Sequence, residues 1–337
     1  MKILLSSHAF APSIGGIETV SGLLAEEFIR LGHEVTVVTQ TPAAGAEEFS
    51  HPVLRRPSLG QLFGALRWCD IYWQNNLSLR TLWPAWLLRR PTVITHQGSY
   101  CRRPRGLDLV QRLKHAIVRQ NTSVAISRAV AGCFRTVSTV ISNPYDARLF
   151  HAEAGDAERP TDLIFLGRLV SEKGIDLLLE ALGLLRPRGL FPKLTIVGGG
   201  PELTAIEQLV ERLELRGQVT FAGPKRGVEL VELLQQHKII VIPSRYDEPF
   251  GIVALEGIAC GCVAVGSSGG GLPEAIGPAG LCFPNGDVAA LADALERLLR
   301  QPNERARLRA AAPAHLAKFH PAALAADYLA LFRSQLS

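Results

Sequence analysis

The stretch that decides the fold of this chain is Ile239-Ile-Val-Ile-Pro-Ser-Arg-Tyr-Asp-Glu-Pro-Phe-Gly-Ile-Val-Ala-Leu-Glu256. Residues Ile239–Ile242 form a short apolar, β-branched run, which is typical of a strand buried on both faces of a parallel sheet. A polar loop follows, and the apolar residues after it predict a helix over Val253–Ala259. A strand that leads through a loop into a helix is the repeating unit of doubly wound α/β proteins.

The same unit recurs along the whole chain. Further strands are predicted at Lys2–Leu5, Val35–Val38, Thr92–Ile94, Ser123–Ile126, Asp162–Leu166, Leu194–Val197, Val219–Phe221, Val263–Val265 and Leu281–Phe283. Further helices are predicted at Glu18–Leu31, Ile175–Leu185, Leu203–Leu213, Val228–Gln236, Val288–Leu299 and Glu304–Ala317. This alternation predicts two parallel sheets in two domains, joined near Asn143–Pro160, where turn residues replace the periodic pattern. Ligands are expected in the cleft that the two sheets face, because the loops after parallel strands converge there.

The size and composition agree with this class of protein. A length of 337 residues predicts about two domains, and an apolar fraction of 47% excludes a disordered chain. No apolar run approaches the roughly 18 to 20 residues of a membrane span, and the first run, Ile3–Leu5, is too short for a secretory signal. The six cysteines show no metal-ligand spacing, so we expect reduced thiols in a cytoplasmic protein.

The net charge of +5 conceals an uneven distribution. It is −4 over residues 1–50, +12 over 51–150 and −3 over 151–337. The basic segment contains all four tryptophans, Trp68, Trp73, Trp83 and Trp86, and the arginines Arg102, Arg103, Arg105, Arg112 and Arg119. These arginines are expected to meet an anionic membrane surface or a phosphorylated, lipid-linked acceptor. Core tryptophans beneath a solvated basic face would give the same composition. No nucleic-acid-binding pattern accompanies the charge, so nucleic acid is not an expected partner.

Two loops that follow strands combine glycine with charge. Gly15-Gly16 precedes the first helix, where backbone N–H groups and the helix dipole favour an anion. A glycine pair needed only for a positive φ in the loop would give the same sequence pattern. Arg168 and Lys173 lie five residues apart directly after a strand. Both side chains can converge on one anionic group such as a diphosphate.

The loop quoted first carries two glutamates for which we expect different roles. Glu248 lies in the loop, where a carboxylate can accept hydrogen bonds from sugar hydroxyls, whereas Glu256 lies in the helix and suits a vicinal diol such as a ribose. Glu256 interrupts an otherwise apolar helix, which indicates pairing or function rather than a solvated face. The backbone N–H groups of Phe250, Gly251 and Ile252 lie at the helix N-terminus and suit anions or hydroxyls.

These motifs together resemble a known family. The block from Glu248 to Glu256 resembles the E-x7-E motif of retaining glycosyltransferase family 4, the group 1 glycosyltransferases. Gly167–Gly174 is similar to that family's phosphate-binding segment, and Gly15–Glu18 and Gly270–Glu274 are similar to its glycine-rich turns. The resemblance covers essentially the whole chain and implies the GT-B fold, an α/β architecture of two Rossmann-like, doubly wound domains that face a cleft. The expected domains are 1–147, with a C-terminal helix 320–337 packing back on it, and 148–319.

The resemblance also implies roles for individual residues. Arg168 and Lys173 would bind the donor diphosphate, and Gly16 would approach it from the other domain. The implied catalytic residues are Glu248, Arg168, Lys173 and His96, the last in a loop after the strand Thr92–Ile94. The implied donor-binding residues are Gly16, Phe250, Gly251, Ile252 and Glu256.

The activity implied by the resemblance is retaining sugar transfer from a nucleotide-sugar donor to a glycan or lipid-linked, anionic acceptor in cell-envelope or exopolysaccharide synthesis. No cofactor and no metal are expected, because cationic side chains would stabilise the leaving diphosphate and the chain has no Asp-x-Asp pair. The expected location is cytoplasmic, with peripheral attachment to the inner face of the cytoplasmic membrane if the basic segment binds lipid. A sugar-nucleotide epimerase of the same fold and a non-catalytic sugar-nucleotide-binding protein remain alternatives.

Overall fold

The computed structural model describes residues 1–13, 15–45, 49–98, 117, 121–134, 139–152 and 159–336. The strands are β1 Lys2–Ser6, β2 Glu34–Thr39, β3 Val53–Arg55, β4 Ile71–Asn75, β5 Thr92–His96, β6 Thr122–Ala125, β7 Thr139–Val140, β8 Thr161–Leu166, β9 Leu194–Val197, β10 Val219–Gly223, β11 His237–Ile242, β12 Val263–Ser267 and β13 Gly280–Phe283. The helices are α1 Gly16–Arg30, α2 Leu59–Trp68, α3 Leu79–Leu87, α4 Arg128–Gly132, α5 Ile175–Leu185, α6 Leu203–Arg212, α7 Gly227–Gln236, α8 Ile252–Ala259, α9 Leu272–Ile276, α10 Val288–Arg300, α11 Pro302–Ala310, α12 Ala312–Leu316 and α13 Pro321–Ser334.

Contacts divide the chain into two compact units. The N-terminal unit comprises Met1–Pro144 with Phe319–Ser337, and the C-terminal unit comprises Tyr145–Lys318. The boundaries expected from the sequence lie within three residues of these. Each unit contains one parallel sheet, with the strand order β3-β2-β1-β4-β5-β6-β7 in the first and β10-β9-β8-β11-β12-β13 in the second. In both sheets the second and third strands of the unit extend outward from one side of the first strand, and the fourth returns to its other side, which defines a doubly wound sheet.

The C-terminal helix α13 belongs to the core of the N-terminal unit. Trp73 on β4 is fully buried, and its ring centre lies 4.9 Å from that of Tyr328 and 6.0 Å from that of Phe332 on α13. The indole N–H of Trp73 donates to Thr95 Oγ1 at 2.9 Å, and this hydroxyl is also 2.9 Å from the Tyr328 hydroxyl. Aromatic packing with satisfied polar ends therefore fixes α13 in this unit.

The core of the C-terminal unit lies on both faces of its sheet. The strands β9, β11 and β12 are almost wholly buried, as their short and largely apolar sequences predict. Helix α5 packs against α10 over one face, with Leu178, Leu182 and Leu295 fully buried there. This rigid sheet positions the loops that carry the candidate site.

Several elements differ from the sequence-based expectations. Strand β4, Ile-Tyr-Trp-Gln-Asn, was not predicted, because its buried Gln74 and Asn75 interrupt the apolar pattern and are stabilised by hydrogen bonds instead. The single helix expected over Glu304–Ala317 is two helices, α11 and α12, because Pro313 has no N–H to continue the first. Within residues 99–120 of the basic segment, the structure describes Ile117 alone.

The thiols follow the expectation only in part. Cys69, Cys260, Cys262 and Cys282 are free, whereas Cys133 is disulfide-bonded. The prediction of reduced thiols is therefore wrong for Cys133. Among the described residues, no helix combines the length and the apolar character that crossing a membrane requires.

Candidate active site

The loops after β8 and β11 meet at one point of the C-terminal sheet. These strands are hydrogen-bonded neighbours, with Leu163 opposite Ile239, although β9 and β10 separate them along the chain. The strand order reverses between them, and doubly wound sheets bind their ligands at this position, outside the carboxyl ends. The sheet therefore brings together the two loops for which the sequence predicts chemistry.

Lys173 and Glu248 form an ion pair between these loops. Lys173 ends a 3-10 turn, Ser171–Lys173, and its Nζ lies 2.6 Å from Glu248 Oε1. The glutamate side chain is 7% exposed and the lysine side chain 23% exposed. The predicted loop cation and loop carboxylate are thus direct partners across 75 residues of sequence.

Two more side chains hold Glu248, and neither was predicted from the sequence to have a role. Ser244 is fully buried and donates from Oγ to Glu248 Oε1 at 2.6 Å. Tyr246 donates from its hydroxyl to Glu248 Oε2 at 2.5 Å, and Lys173 Nζ lies 3.3 Å from the same hydroxyl. Burial and the adjacent carboxylate raise the pKa of Tyr246, so its hydroxyl remains a donor. The available signal was a pair of hydroxyl residues four and two positions before Glu248.

Arg168 lies at the start of the loop after β8 and is exposed to solvent. Its guanidinium makes no hydrogen bond or ion pair with the residues that the structure describes. Its charge nevertheless reaches Tyr246, where it opposes the rise in the pKa of that hydroxyl. Arg168 is therefore an unpaired cation near the Lys173–Glu248 pair.

A glycine turn holds the backbone of Glu248 in place. Gly271 donates its N–H to the Glu248 carbonyl oxygen at 2.6 Å, and Gly270 forms a parallel bridge with Glu248. Gly270 has a φ of +70°, and a Cβ at this position would lie 2.1 Å from the same carbonyl oxygen. Any side chain at position 270 would therefore displace Glu248.

Glu256 lies in helix α8, which begins at Ile252 directly after Gly251. Phe250 before it is 2% exposed, so its ring belongs to the core and only its backbone can serve a ligand. Glu256 is partly buried and has no hydrogen-bonding partner among the described side chains. Burial, assisted by the Asp146 carboxylate, raises the pKa of Glu256 to about 7.

We expect Glu256 to make the stability of the C-terminal unit depend on pH. Its folded pKa, about 7, exceeds its ordinary value of 4.5, so only the folded state holds the proton between these values. Stability is therefore lost as the pH rises through 7, and Glu256→Gln should remove up to roughly 3 kcal/mol of that loss. Urea unfolding of both proteins at pH 5 and pH 8, followed by circular dichroism, measures this. An equal stability difference at the two pH values would contradict the assignment.

Two of the predicted site residues, Gly16 and His96, belong to the N-terminal unit. Gly16 is the first residue of α1 and is exposed. His96 is the last residue of β5 rather than part of a loop, and it is fully buried with its ring 4.5 Å from that of Phe134. The roles of Gly16 and His96 toward a donor remain predictions.

A buried amide network follows β4 and β5 in this unit, and the sequence did not reveal it. Gln97 and Asn143 exchange two hydrogen bonds, of 3.0 and 2.8 Å. Gln97 also donates to Asn75 at 2.7 Å, and Asn75 donates to Ser21 at 2.7 Å. Fully paired buried polar groups of this kind fix the loop backbones around them.

Other predictions fall outside what the structure can place. Arg102, Arg103, Arg105, Arg112 and Arg119 lie outside the described residues. Within the described ranges, no group of three or more His, Cys, Asp or Glu side chains is placed to hold a metal ion. The expected metal independence stays a prediction.

The family is now clear from comparison. Residues 146–315, which carry the Lys173–Glu248 pair, match the family described as glycosyl transferases group 1. The chain belongs to the group 1 glycosyl transferases, as its motifs predicted, and its fold is GT-B.

Individual relatives refine this placement. D-inositol 3-phosphate glycosyltransferase of Corynebacterium jeikeium is 37% identical over 176 residues, 50% of this chain and 42% of that protein. The protein of the same name from Frankia alni is 39% identical over 186 residues, 52% of this chain and 46% of that protein. The matched part therefore spans less than half the length of these relatives. The structure of Anabaena HepE in complex with UDP superimposes with a TM-score of 0.83 and 21% identity, covering 99% of this chain and 100% of that one.

Proposed function

We propose that this protein is a glycosyltransferase that moves a sugar from a nucleotide-sugar donor to an acceptor. The observation that carries the proposal is the Lys173–Glu248 pair, held by Ser244 and Tyr246 at the point where the strand order reverses. A fixed carboxylate suits sugar hydroxyls, while Lys173 and the unpaired Arg168 suit a diphosphate. A sugar nucleotide carries both groups side by side.

The donor is proposed to be a nucleoside diphosphate sugar, and a UDP-sugar is the first to test. Anabaena HepE, which shares the fold, has been described in complexes with UDP and with UDP-glucose. Glu256, protonated up to about pH 7, is both donor and acceptor and is suited to a ribose diol. Phe250, Gly251 and Ile252 would supply backbone groups at the start of α8.

The reaction is proposed to retain the anomeric configuration and to need no metal. Negative charge grows on the leaving diphosphate in the transition state. Arg168, Lys173 and the N–H groups at the start of α8 would stabilise that charge. His96 and Gly16 are proposed to serve the same donor from the N-terminal unit.

The acceptor is proposed to be anionic, either a phosphorylated or a lipid-linked glycan precursor. Two relatives are named for transfer to D-inositol 3-phosphate, which is a phosphorylated acceptor. The charge of +12 over residues 51–150 supports an anionic partner for this part of the chain. Attachment to an anionic membrane surface would place the enzyme beside a lipid-linked acceptor.

The donor assignment is tested by thermal unfolding with UDP-, GDP-, ADP- and dTDP-sugars. One of these should stabilise the wild-type protein, and Arg168→Ala should lose most of that effect without losing stability in the absence of ligand, because the guanidinium has no described partner. Arg216→Ala, which removes an exposed arginine paired with Glu211, is the matched control. Release of nucleotide with transfer to an added acceptor separates a transferase from an epimerase, which changes the donor alone. Absence of stabilisation by every sugar nucleotide would refute the proposal.

The tryptophans allow a test of membrane attachment. Trp73 is buried, but Trp83 and Trp86 on α3 are 45% and 40% exposed, and Leu87 is 68% exposed. Exchanging Trp83 and Trp86 for serine should weaken binding to vesicles of phosphatidylglycerol about ten-fold or more, because apolar burial in the interface is lost. Phe191→Ser removes an aromatic that is 62% exposed in the C-terminal unit and is the matched control. Equal co-sedimentation of all three proteins would exclude this surface.

A further inference from the structure

A cavity of about 210 Å³ lies in the C-terminal unit at the end of α8. Helix α8 begins beside the Glu248 loop and ends at Ala259, which lines the cavity with Ile258. Ala312 and Leu316 on α12 complete an apolar wall. The cavity therefore lies at the other end of α8 from the candidate active site.

Two arginines supply the polar side of this cavity. Arg159 donates to the carbonyl oxygens of Leu234, His237 and Cys260 at 3.0, 2.8 and 2.6 Å. Arg309 donates from Nε to the Gly261 carbonyl oxygen at 2.9 Å. These bonds use three of the five N–H groups of Arg159 and one of the five of Arg309.

Arg159, Arg305 and Arg309 form a cluster of positive charge, which the Asp162 carboxylate offsets in part at Arg305. Among the described residues, no carboxylate forms an ion pair with Arg159, Arg305 or Arg309. Burial lowers the pKa of Arg159 and of Arg305, and the charge of Arg309 lowers both further. By contrast, Arg307 on the same helix pairs with Glu304 at 3.5 Å. Carbonyl oxygens at helix C-termini offset part of this charge, but within the described ranges no carboxylate pairs with the N–H groups of Arg309 that the Gly261 carbonyl oxygen leaves unused.

We propose that this cavity binds the phosphate group of a small phosphate monoester. Guanidinium groups bind phosphate oxygens through paired, charge-assisted hydrogen bonds. The phosphate would lie against Arg159 and Arg309, and the carbon skeleton of the ester against Ile258, Ala259 and Leu316. This site is separate from the donor site, and it does not depend on the proposed sugar transfer.

The test measures thermal unfolding of the full chain against increasing inorganic phosphate and glycerol phosphate, with chloride keeping the ionic strength constant. Both phosphates should stabilise the wild-type protein more than chloride does, and the better ligand distinguishes free phosphate from a phosphate ester. Arg309→Gln should weaken the apparent phosphate affinity about ten-fold or more, since a charge-assisted hydrogen bond is lost. Arg307→Gln, on the same helix, should leave the affinity unchanged.

Lys173→Ala removes a cation from the donor site and therefore distinguishes phosphate binding there from phosphate binding in the cavity. This variant should keep the phosphate response. The proposal is overturned if Arg309→Gln responds to phosphate as the wild type does. It is also overturned if the response disappears in Lys173→Ala, or if phosphate and chloride act alike. A purely structural role of Arg309 would lower the unfolding temperature by the same amount with and without phosphate, which also refutes the site.

Discussion

Lys173→Ala should lower kcat/KM for the proposed sugar transfer by roughly a hundred- to a thousand-fold, because a charged donor aimed at a leaving group contributes about that much. Lys173 Nζ lies 2.6 Å from Glu248 Oε1. Removal of the lysine therefore also leaves a buried carboxylate without its counter-ion. Such a loss costs on the order of 3 kcal/mol or more of folding stability.

A double variant distinguishes the loss of catalysis from the loss of folding stability. Lys173→Ala with Glu248→Gln has no unpaired buried charge, so it should regain most of the stability while transfer stays low. Arg245→Ala, in the Glu248 loop, is the matched control, because its ion pair with Asp176 is exposed and is worth about 1 kcal/mol at most. A Lys173→Ala protein with wild-type kcat/KM would remove Lys173 from the catalytic machinery.

Gly174→Ala should destabilise the C-terminal unit by about 3 kcal/mol or more, through backbone strain and a steric clash. Gly174 has a φ of +66°, and a Cβ at this position would lie 2.0 Å from the Pro243 carbonyl oxygen. Pro243 precedes Ser244, so Gly174 is the point where the Lys173 loop packs on the Glu248 loop. The substitution therefore separates the two halves of the candidate site.

Gly189→Ala is a close control for this effect. Gly189 has a φ of +76° but no atom within 4 Å of a Cβ at its position, so only the backbone cost of about 1 kcal/mol is expected. Urea unfolding by circular dichroism reports on both units, whereas tryptophan fluorescence reports on the N-terminal unit, which contains every tryptophan. Equal destabilisation by the two substitutions would show that the contact with Pro243 is unimportant.

Segments with a continuous apolar pattern were predicted correctly from the sequence, whereas segments with buried polar residues were not. Strands such as Ile239–Ile242 are continuous apolar runs, because both faces of a parallel sheet are covered, and these were predicted within two residues. Strand β4 was missed because its Gln74 and Asn75 are buried through hydrogen bonds to side chains of other elements, Thr81 in α3 and Ser21 in α1. Periodicity records apolar burial and cannot record a polar side chain whose partner lies elsewhere in the chain.

The same limit applies to the tryptophans. All four lie in one basic segment of sequence, but Trp73 packs on Tyr328 and Phe332 in the core, and Trp83 remains exposed. Composition treats these side chains alike. Whether each tryptophan is buried depends on whether its side chain packs against α13.

The sequence by itself determined the family, the alternation of strands and helices, and the residue types that carry charge at the ends of β8 and β11. Those features are local, since each depends on neighbours within a few residues. Only the tertiary structure decided that Lys173 and Glu248 are partners, that Ser244 and Tyr246 hold the carboxylate, and that Arg159 and Arg309 line one cavity at the end of α8. These contacts depend on the order of strands in the sheet, which places residues 75 positions apart within hydrogen-bonding distance.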